Sequence, residues 1–175
     1  TSTDEVWGVQ EVSAYLKSVP CDFDVGAPWS VWETTLPWET LDARARELPG
    51  CAGELHYLAP MKRSESGAIV SLCVYTEEGI SILESEYDVR EFLAPEGLVV
   101  EGKDGAEMKG GALLPSAYIT MEVTPREKVC ISGKGYGHGV GMSQSAADVM
   151  AQEGYTYEEI LHYFFENVEL TADWR

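Results

Sequence analysis

A run in which glycine occupies every second position, residues 133–141, constrains this chain more than any other feature. Its five glycines alternate with Lys134, Tyr136, His138 and Val140. Glycine reaches positive φ angles freely and lets a backbone or ligand approach closely, but it loses much entropy on folding and packs no side chain. The run therefore predicts a tight, shaped loop that presents one tyrosine and one histidine, and not a regular strand or helix.

A helix is predicted to begin directly after this loop, at Ser143. Residues 143–151 are rich in good helix formers. Because the first N–H groups of a helix have no partner within it, a glycine-rich turn that leads into a helix directs those donors at whatever binds there.

The spacing of the glycines does not fit the loops that bind nucleotides. A P-loop needs Gly-Lys-Ser/Thr after four free positions, whereas Gly133-Lys134 is followed by Gly135. The Gly-x-Gly-x-x-Gly fingerprint fails because the third glycine, Gly137, comes one residue early. The alternative to a binding loop is a glycine-rich hairpin whose histidine only hydrogen-bonds the backbone.

The loop sequence resembles the signature of the SpoIID/LytB family, typically Gly-Arg-Gly-Trp-Gly-His-Gly-Val-Gly-Met-Ser-Gln-Tyr-Gly-Ala. The resemblance is most specific over residues 137–144, and it departs at Tyr136, where tryptophan is usual, and at Ser145-Ala146, which replace Tyr-Gly. Further segments follow the family's order along nearly the whole chain: 6–8, 15–19, 63–67, 90–93, 114–116, 150–154, 157–161, 164–165 and 169–170.

The resemblance implies a peptidoglycan lytic transglycosylase that acts in sporulation and engulfment. Such an enzyme cleaves the β-1,4 bond between N-acetylmuramic acid and N-acetylglucosamine in peptide-stripped glycan and leaves 1,6-anhydro ends. The alternative is a non-catalytic module that binds the cell wall or modulates an amidase.

The catalytic glutamate of the family lies in a segment like Glu-Ala-Leu-Lys-Ala-Gln-Ala-Val-Ala-Ala-Arg-Thr-Tyr, which a metal-binding stretch follows. Neither segment occurs in this sequence. We therefore expect residues 1–175 to be the C-terminal portion of a SpoIID-like domain, with its catalytic residues unknown. We expect this portion to be inactive alone and to hold no cofactor, and any zinc to belong to the upstream segment.

By this resemblance, the glycine loop and the start of the next helix form part of a glycan-binding groove. Tyr136 would pack on a sugar, His138 and Ser143 would hydrogen-bond hydroxyl or acetamide groups, and Gln144 would orient those groups. The predicted substrate-binding residues are Tyr136, Gly137, His138, Gly139, Ser143 and Gln144.

The chain is strongly acidic, with 12 lysines and arginines against 30 aspartates and glutamates, a net charge of −18. This charge repels nucleic-acid phosphates and anionic lipid, but not neutral sugar chains. The resemblance implies peptidoglycan glycan strands and other sporulation cell-wall proteins as partners, whereas the charge argues against nucleic acid. The resemblance implies an extracytoplasmic location, through a membrane anchor upstream or by secretion. A simpler interpretation is that the charge only maintains solubility.

The pattern of apolar and turn residues predicts an α+β fold with antiparallel strands and hairpins, and with two long helices at the C-terminus. Residues 20–37 and 101–111 are predicted as loops, the latter mobile, and 9–19 as a short helix or extended piece. The predicted strands are 55–60, 69–77, 80–83, 118–124 and 128–132, and the helices are 40–48, 86–93, 143–154 and 157–165.

Three tryptophans, Trp29, Trp32 and Trp38, lie close together in the sequence. They could form an exposed platform for the C–H faces of sugars, or they could cover the hydrophobic core.

The four cysteines have no zinc-knuckle spacing. Cys73 and Cys130 lie in apolar runs and are predicted to be buried strand thiols. Cys21 and Cys51 flank loops and could form a disulfide in an oxidising compartment, although free thiols are favoured.

Overall fold

The structure is a computed structural model that describes residues 23, 26–109, 111, 113–139, 141–165 and 167–171. The predicted segment 9–19 and Cys21 lie outside these residues. The strands are β1 (Trp32–Pro37), β2 (Leu55–Arg63), β3 (Ile69–Thr76), β4 (Gly79–Leu83), β5 (Val99–Gly102), β6 (Glu107–Lys109), β7 (Ile119–Thr124) and β8 (Lys128–Gly133). The α-helices are α1 (Trp38–Ala45), α2 (Glu86–Phe92), α3 (Gln144–Gln152) and α4 (Tyr157–Phe164).

The strands form two antiparallel sheets, so the α+β prediction is confirmed. The first sheet has five strands in the order β6-β5-β1-β8-β7, and the second has three in the order β2-β3-β4. The hairpin predicted around Pro125-Arg126 joins β7 and β8, and Arg126 adopts a φ of 64° in its turn. The two predicted C-terminal helices are present, with nine and eight residues.

The prediction of a loop over residues 20–37 was wrong at its end, because β1 lies in the middle of the larger sheet. Trp32, Thr34 and Leu36 are buried and the residues between them are exposed, the alternation of a strand with one face on the core. The glycines and prolines before this strand dominated the sequence pattern. Pro37 is the last strand residue and also the N-cap of α1, so that helix begins two residues earlier than predicted.

The prediction of a mobile loop over residues 101–111 was also wrong. Strands β5 and β6 form a hairpin there, in which Glu101 faces Glu107 and Val100 faces Met108. A short 3-10 turn joins them, and Asp104 and Gly105 take positive φ angles within it. The polar composition reflects the position of β6 at the sheet edge, where most side chains face solvent.

One hydrophobic core joins the inner faces of both sheets with α1 and α2, whereas the buried residues of α3 and α4 lie outside it. Trp32 and Trp38 belong to this core, and Trp29 is partly buried against it. The core interpretation of the tryptophans is therefore confirmed for two of the three. The fully buried core side chains include Leu36, Leu41, Leu58, Ile69, Leu72, Leu93, Leu114, Ile119 and Ile131.

The burial predicted for two strand cysteines was wrong. Cys73 and Cys130 are only half-buried, since they occupy the outward-facing positions of β3 and β8. Among the three cysteines that the structure describes, Cys51 is the buried one, and its sulfur lies 3.9 Å from the carbonyl oxygen of Val74.

Candidate functional site

The glycine loop leaves the larger sheet at the end of β8 and leads to α3. Three backbone hydrogen bonds hold its first half: the Lys134 N–H donates to the Tyr118 carbonyl (3.0 Å), the Gly135 N–H to Ser30 (3.4 Å) and the Gly137 N–H to Pro115 (2.8 Å). The loop is thus attached to the segment before β1 and to the segment before β7.

Two buried side chains reinforce these bonds. The indole Nε1 of Trp32 donates to the Gly135 carbonyl at 3.1 Å, and the Ser116 hydroxyl donates to the Lys134 carbonyl at 2.6 Å. Trp32 and Ser116 are 3% and 1% exposed. Because water does not reach these buried positions, the two side chains supply the hydrogen bonds that the Gly135 and Lys134 carbonyls need.

The expectation that glycine is needed for backbone conformation is confirmed, since Gly135, Gly137, Gly139 and Gly141 all have positive φ angles. Close approach adds a second requirement at two positions. A Cβ atom on Gly133 would overlap the Trp32 ring, and one on Gly139 would overlap the Tyr118 hydroxyl.

Tyr118 connects the glycine loop to the turn between β2 and β3. Its hydroxyl lies 2.9 Å from the hydroxyl of Ser66, which in turn lies 3.0 Å from that of Ser64. The Ser64 hydroxyl also accepts the Ala68 N–H at 3.1 Å, which closes the turn. A chain of hydroxyl groups therefore runs from this turn to the underside of the loop.

Arg63 fixes the same turn against β7. Its guanidinium donates to the carbonyls of Gly67 (2.8 Å) and Ile119 (2.9 Å). Burial lowers the pKa of Arg63 to about 10, which leaves it protonated and able to make both bonds at neutral pH.

Arg90 of α2 holds the segment to which the glycine loop is hydrogen-bonded. It is 8% exposed, and it donates to the carbonyls of Leu114 (2.9 Å) and Pro115 (3.2 Å) while pairing with Glu86 at 3.2 Å. The segments 63–67, 90–93 and 114–116, which resemble family landmarks, thus converge on the glycine loop.

The sequence-predicted site residues lie in two groups. In the loop, Tyr136 is 68% exposed, its ring centroid lies 6.4 Å from that of Trp29 at an angle of 44°, and His138 is exposed beyond it. At the start of α3, the Ser143 hydroxyl accepts the Ala146 N–H at 3.2 Å as the N-cap, and Gln144 is the first, exposed helical residue. Gly137 and Gly139 flank His138 in the loop and contribute only backbone atoms.

Sequence reasoning missed the supporting roles of Ser66, Arg90 and Tyr118. The signal for Ser66 and Arg90 was present, because both lie in segments that resemble the family. Tyr118 was counted only as a strand residue, and its contact with Gly139 depends on tertiary packing.

A polar groove of about 720 Å³ adjoins the first half of the loop on the outer face of the larger sheet. Strand register aligns a row of side chains across its floor, in the order Glu107, Glu101, Glu33, Ser132 and Thr120. Lys103 and Lys134 also line the groove. Carboxylates, hydroxyls and ammonium groups together offer the donors and acceptors that sugar hydroxyls need.

Within the described ranges, no three or more histidine, cysteine, aspartate or glutamate side chains are arranged to hold a metal ion. No helix in the described part of the chain has the length and apolarity to cross a bilayer.

Fold and site together define an α+β protein that presents an anchored glycine loop beside an aromatic pair. No family model matches the chain. It is 42% identical over 65 residues to the "Amidase enhancer" of Bacillus subtilis (strain 168), a region covering 37% of this chain and 9% of that protein. It is 38% identical over 45 residues to "Stage II sporulation protein D" of the same organism, covering 26% and 13%.

The protein of the latter name from Bacillus amyloliquefaciens is 40% identical over 43 residues, covering 25% of this chain and 12% of that protein. The matched regions thus span less than a fifth of each of these relatives. These partial matches support a SpoIID-like relationship.

Proposed function

We propose that this chain binds peptidoglycan glycan strands through the glycine loop and the adjoining groove. The observation that carries the proposal is the exposed Tyr136, which lies beside Trp29 in a loop anchored by backbone hydrogen bonds. Aromatic faces pack on the C–H faces of sugars, and the nearby polar groups satisfy hydroxyls. The similarity to proteins named for sporulation and for amidase enhancement supports a cell-wall role.

Within that role, we propose that the chain contributes one wall of a lytic transglycosylase site. The reaction needs a carboxylic acid that protonates the oxygen of the leaving sugar and then accepts the proton of the attacking muramoyl 6-hydroxyl. The chain's own contribution would be to bind and orient the glycan: Tyr136 against a sugar ring, and His138, Ser143 and Gln144 toward hydroxyl and acetamide groups. The acid would come from a segment outside these residues.

The second candidate is a non-catalytic module that binds the cell wall or modulates an amidase. The 42% identity to a protein named "Amidase enhancer" favours it. In either case we propose an extracytoplasmic protein, secreted or anchored by a segment upstream, that works with other sporulation cell-wall proteins.

The first test is co-sedimentation of the chain with peptide-stripped glycan strands. We expect wild-type protein to sediment with glycan and the Tyr136→Ala variant to lose most of this binding. Tyr157→Ala is the matched control, because Tyr157 is 69% exposed but belongs to α4 and not to the loop. Equal binding by both variants would contradict a glycan site at the loop.

Mass spectrometry of the sugar ends distinguishes the two candidates. We expect no 1,6-anhydro ends from the 175 residues alone, and such ends from a longer natural protein that contains them. A longer protein that binds glycan without forming anhydro ends would identify the non-catalytic module.

A further inference from the structure

The three-stranded sheet is apolar on both of its faces. Its inner face buries Leu58, Leu72, Val74 and Leu83 in the core. Four large apolar side chains at its outer positions and Met61, at a register shift of β2, are 42–59% exposed, and we call these the outer patch: Tyr57, Met61, Tyr75, Ile80 and Ile82.

Strand register makes the outer patch continuous. One cross-strand row consists of Tyr57, Tyr75 and Ile80, and the next consists of Ala59, Cys73 and Ile82. Side chains directly opposite in such rows stand about 5 Å apart, close enough to contact one another. The patch therefore covers all three strands without a charged side chain in either row.

The sequence of β3 is that of a strand covered on both faces. β3 reads Ile-Val-Ser-Leu-Cys-Val-Tyr-Thr, with apolar residues at consecutive positions. The larger sheet differs, because its outer face carries Glu33, Thr35, Glu101, Glu122 and Ser132. The smaller sheet thus has the composition of a middle layer, although the described residues cover only its inner face.

We propose that the outer patch is the docking site for one amphipathic α-helix of a partner protein, with an apolar stripe and flanking lysines or arginines. Three strands spaced about 4.8 Å apart give a face roughly 10 Å wide, the diameter of a single helix with its side chains. A helix on a sheet is also the usual way to complete such a layer.

The charges at the rim of the outer patch favour a partner helix with basic residues beside its apolar stripe. Glu77 and Glu78 form the turn between β3 and β4, and the Glu77 N–H donates to the Glu54 carbonyl at 2.8 Å, so the backbone brings three exposed glutamates to this end. Arg126 lies 3.7 Å from one of them, Glu54. Lys62 and the exposed Glu84 flank the opposite end, which leaves the rim acidic overall.

A second copy of the chain fits this surface less well than a basic helix does. It would bring the same rim carboxylates together, and it carries the same net charge of −18. The outer patch shares no residue with the glycine loop, so it is a separate surface from the proposed glycan site.

The test is fluorescence anisotropy of labelled synthetic helices of about five turns. One peptide has a leucine stripe flanked by lysines, a second has the same stripe flanked by glutamates, and a third scrambles the first so that the stripe is lost. The protein variants are Ile80→Thr/Ile82→Thr, which keeps strand propensity, and Val99→Thr as control. Val99 is 39% exposed on the larger sheet, outside the patch. Met61→Gln is a second patch variant in case the double variant does not fold.

We expect the lysine-flanked helix to bind, and its affinity to fall about tenfold or more in either patch variant but not in Val99→Thr. The glutamate-flanked and scrambled peptides should bind more weakly. Equal binding of the scrambled peptide, or unchanged binding by folded patch variants, would overturn the proposal. A dimer in light scattering that the patch variants dissociate, without peptide binding, would assign the patch to a second copy and would also overturn it.

Discussion

The guanidinium of Arg90 and the backbone N–H of Gly137 donate to one acceptor, the carbonyl oxygen of Pro115, at 3.2 and 2.8 Å. A side chain of α2 and the middle of the glycine loop are therefore held by the same atom. Because Arg90 also bonds the Leu114 carbonyl, the segment that receives the loop is fixed from within the fold.

Replacing Arg90 with lysine should weaken both stability and glycan binding. A lysine cannot reproduce the planar fork that serves two carbonyls, so at least one of the two loses a charge-assisted hydrogen bond, at about 1–3 kcal/mol. Chemical denaturation and co-sedimentation with glycan measure the two effects. Arg46→Lys is the control, since Arg46 likewise donates to a backbone carbonyl, that of Gly53, outside the segments that hold the loop. It should reduce stability and leave glycan binding intact.

Alanine at Gly139 should be more damaging than alanine at Gly135. Both glycines have φ angles near 75°, so either substitution places alanine in the left-handed region at about 1–2 kcal/mol. Only Gly139 lies against the Tyr118 hydroxyl, and overpacking there adds about 1–3 kcal/mol. Urea denaturation of the two variants gives the difference directly. Equal losses would mean that the Tyr118 ring moves aside freely.

The hydrogen bond between the Tyr118 and Ser66 hydroxyls should make the effects of mutating these two residues on the free energy of unfolding non-additive. Tyr118→Phe removes one partner of the 2.9 Å bond and Ser66→Ala removes the other. The two changes should cost less together than the sum of the single changes, by about 0.5–1.5 kcal/mol. A double-mutant cycle by urea denaturation tests this, and strictly additive losses would contradict a shared bond.

The start of α4 should become less stable in acid. The Glu159 carboxylate accepts hydrogen bonds from the Thr156 N–H (2.8 Å) and hydroxyl (2.9 Å), and these bonds lower the pKa of Glu159. A lowered folded-state pKa means that the stabilisation is present above the ordinary glutamate pKa, and is lost as the pH falls through the lowered value.

Amide hydrogen exchange in α4 at neutral and acidic pH measures this loss. Glu159→Gln keeps an acceptor without a titrating group, so it should remove that part of the pH dependence. Glu158→Gln, on the neighbouring residue, should retain it. An unchanged pH dependence in Glu159→Gln would show that other groups cause it.

Local sequence patterns predicted the hairpins and the C-terminal helices because their periodicity and turn residues agree with their final environment. They failed for β1 and for the β5–β6 hairpin, where glycine, proline and charge dominate the local signal and pairing partners decide the structure. At the site, the positive φ angles of the loop were predictable from glycine itself. The support from Arg90 and Tyr118 was not, because it joins residues far apart in sequence.

The anchoring of the glycine loop also bears on how such a sequence can evolve. Ser30 and Pro115 accept its hydrogen bonds through backbone carbonyls, which every amino acid possesses. Trp32, Arg90 and Ser116 act through side chains that few substitutes can imitate. Selection that preserves the loop should therefore also preserve these three side chains outside it. These bonds place no such constraint on the side chains of residues 30 and 115.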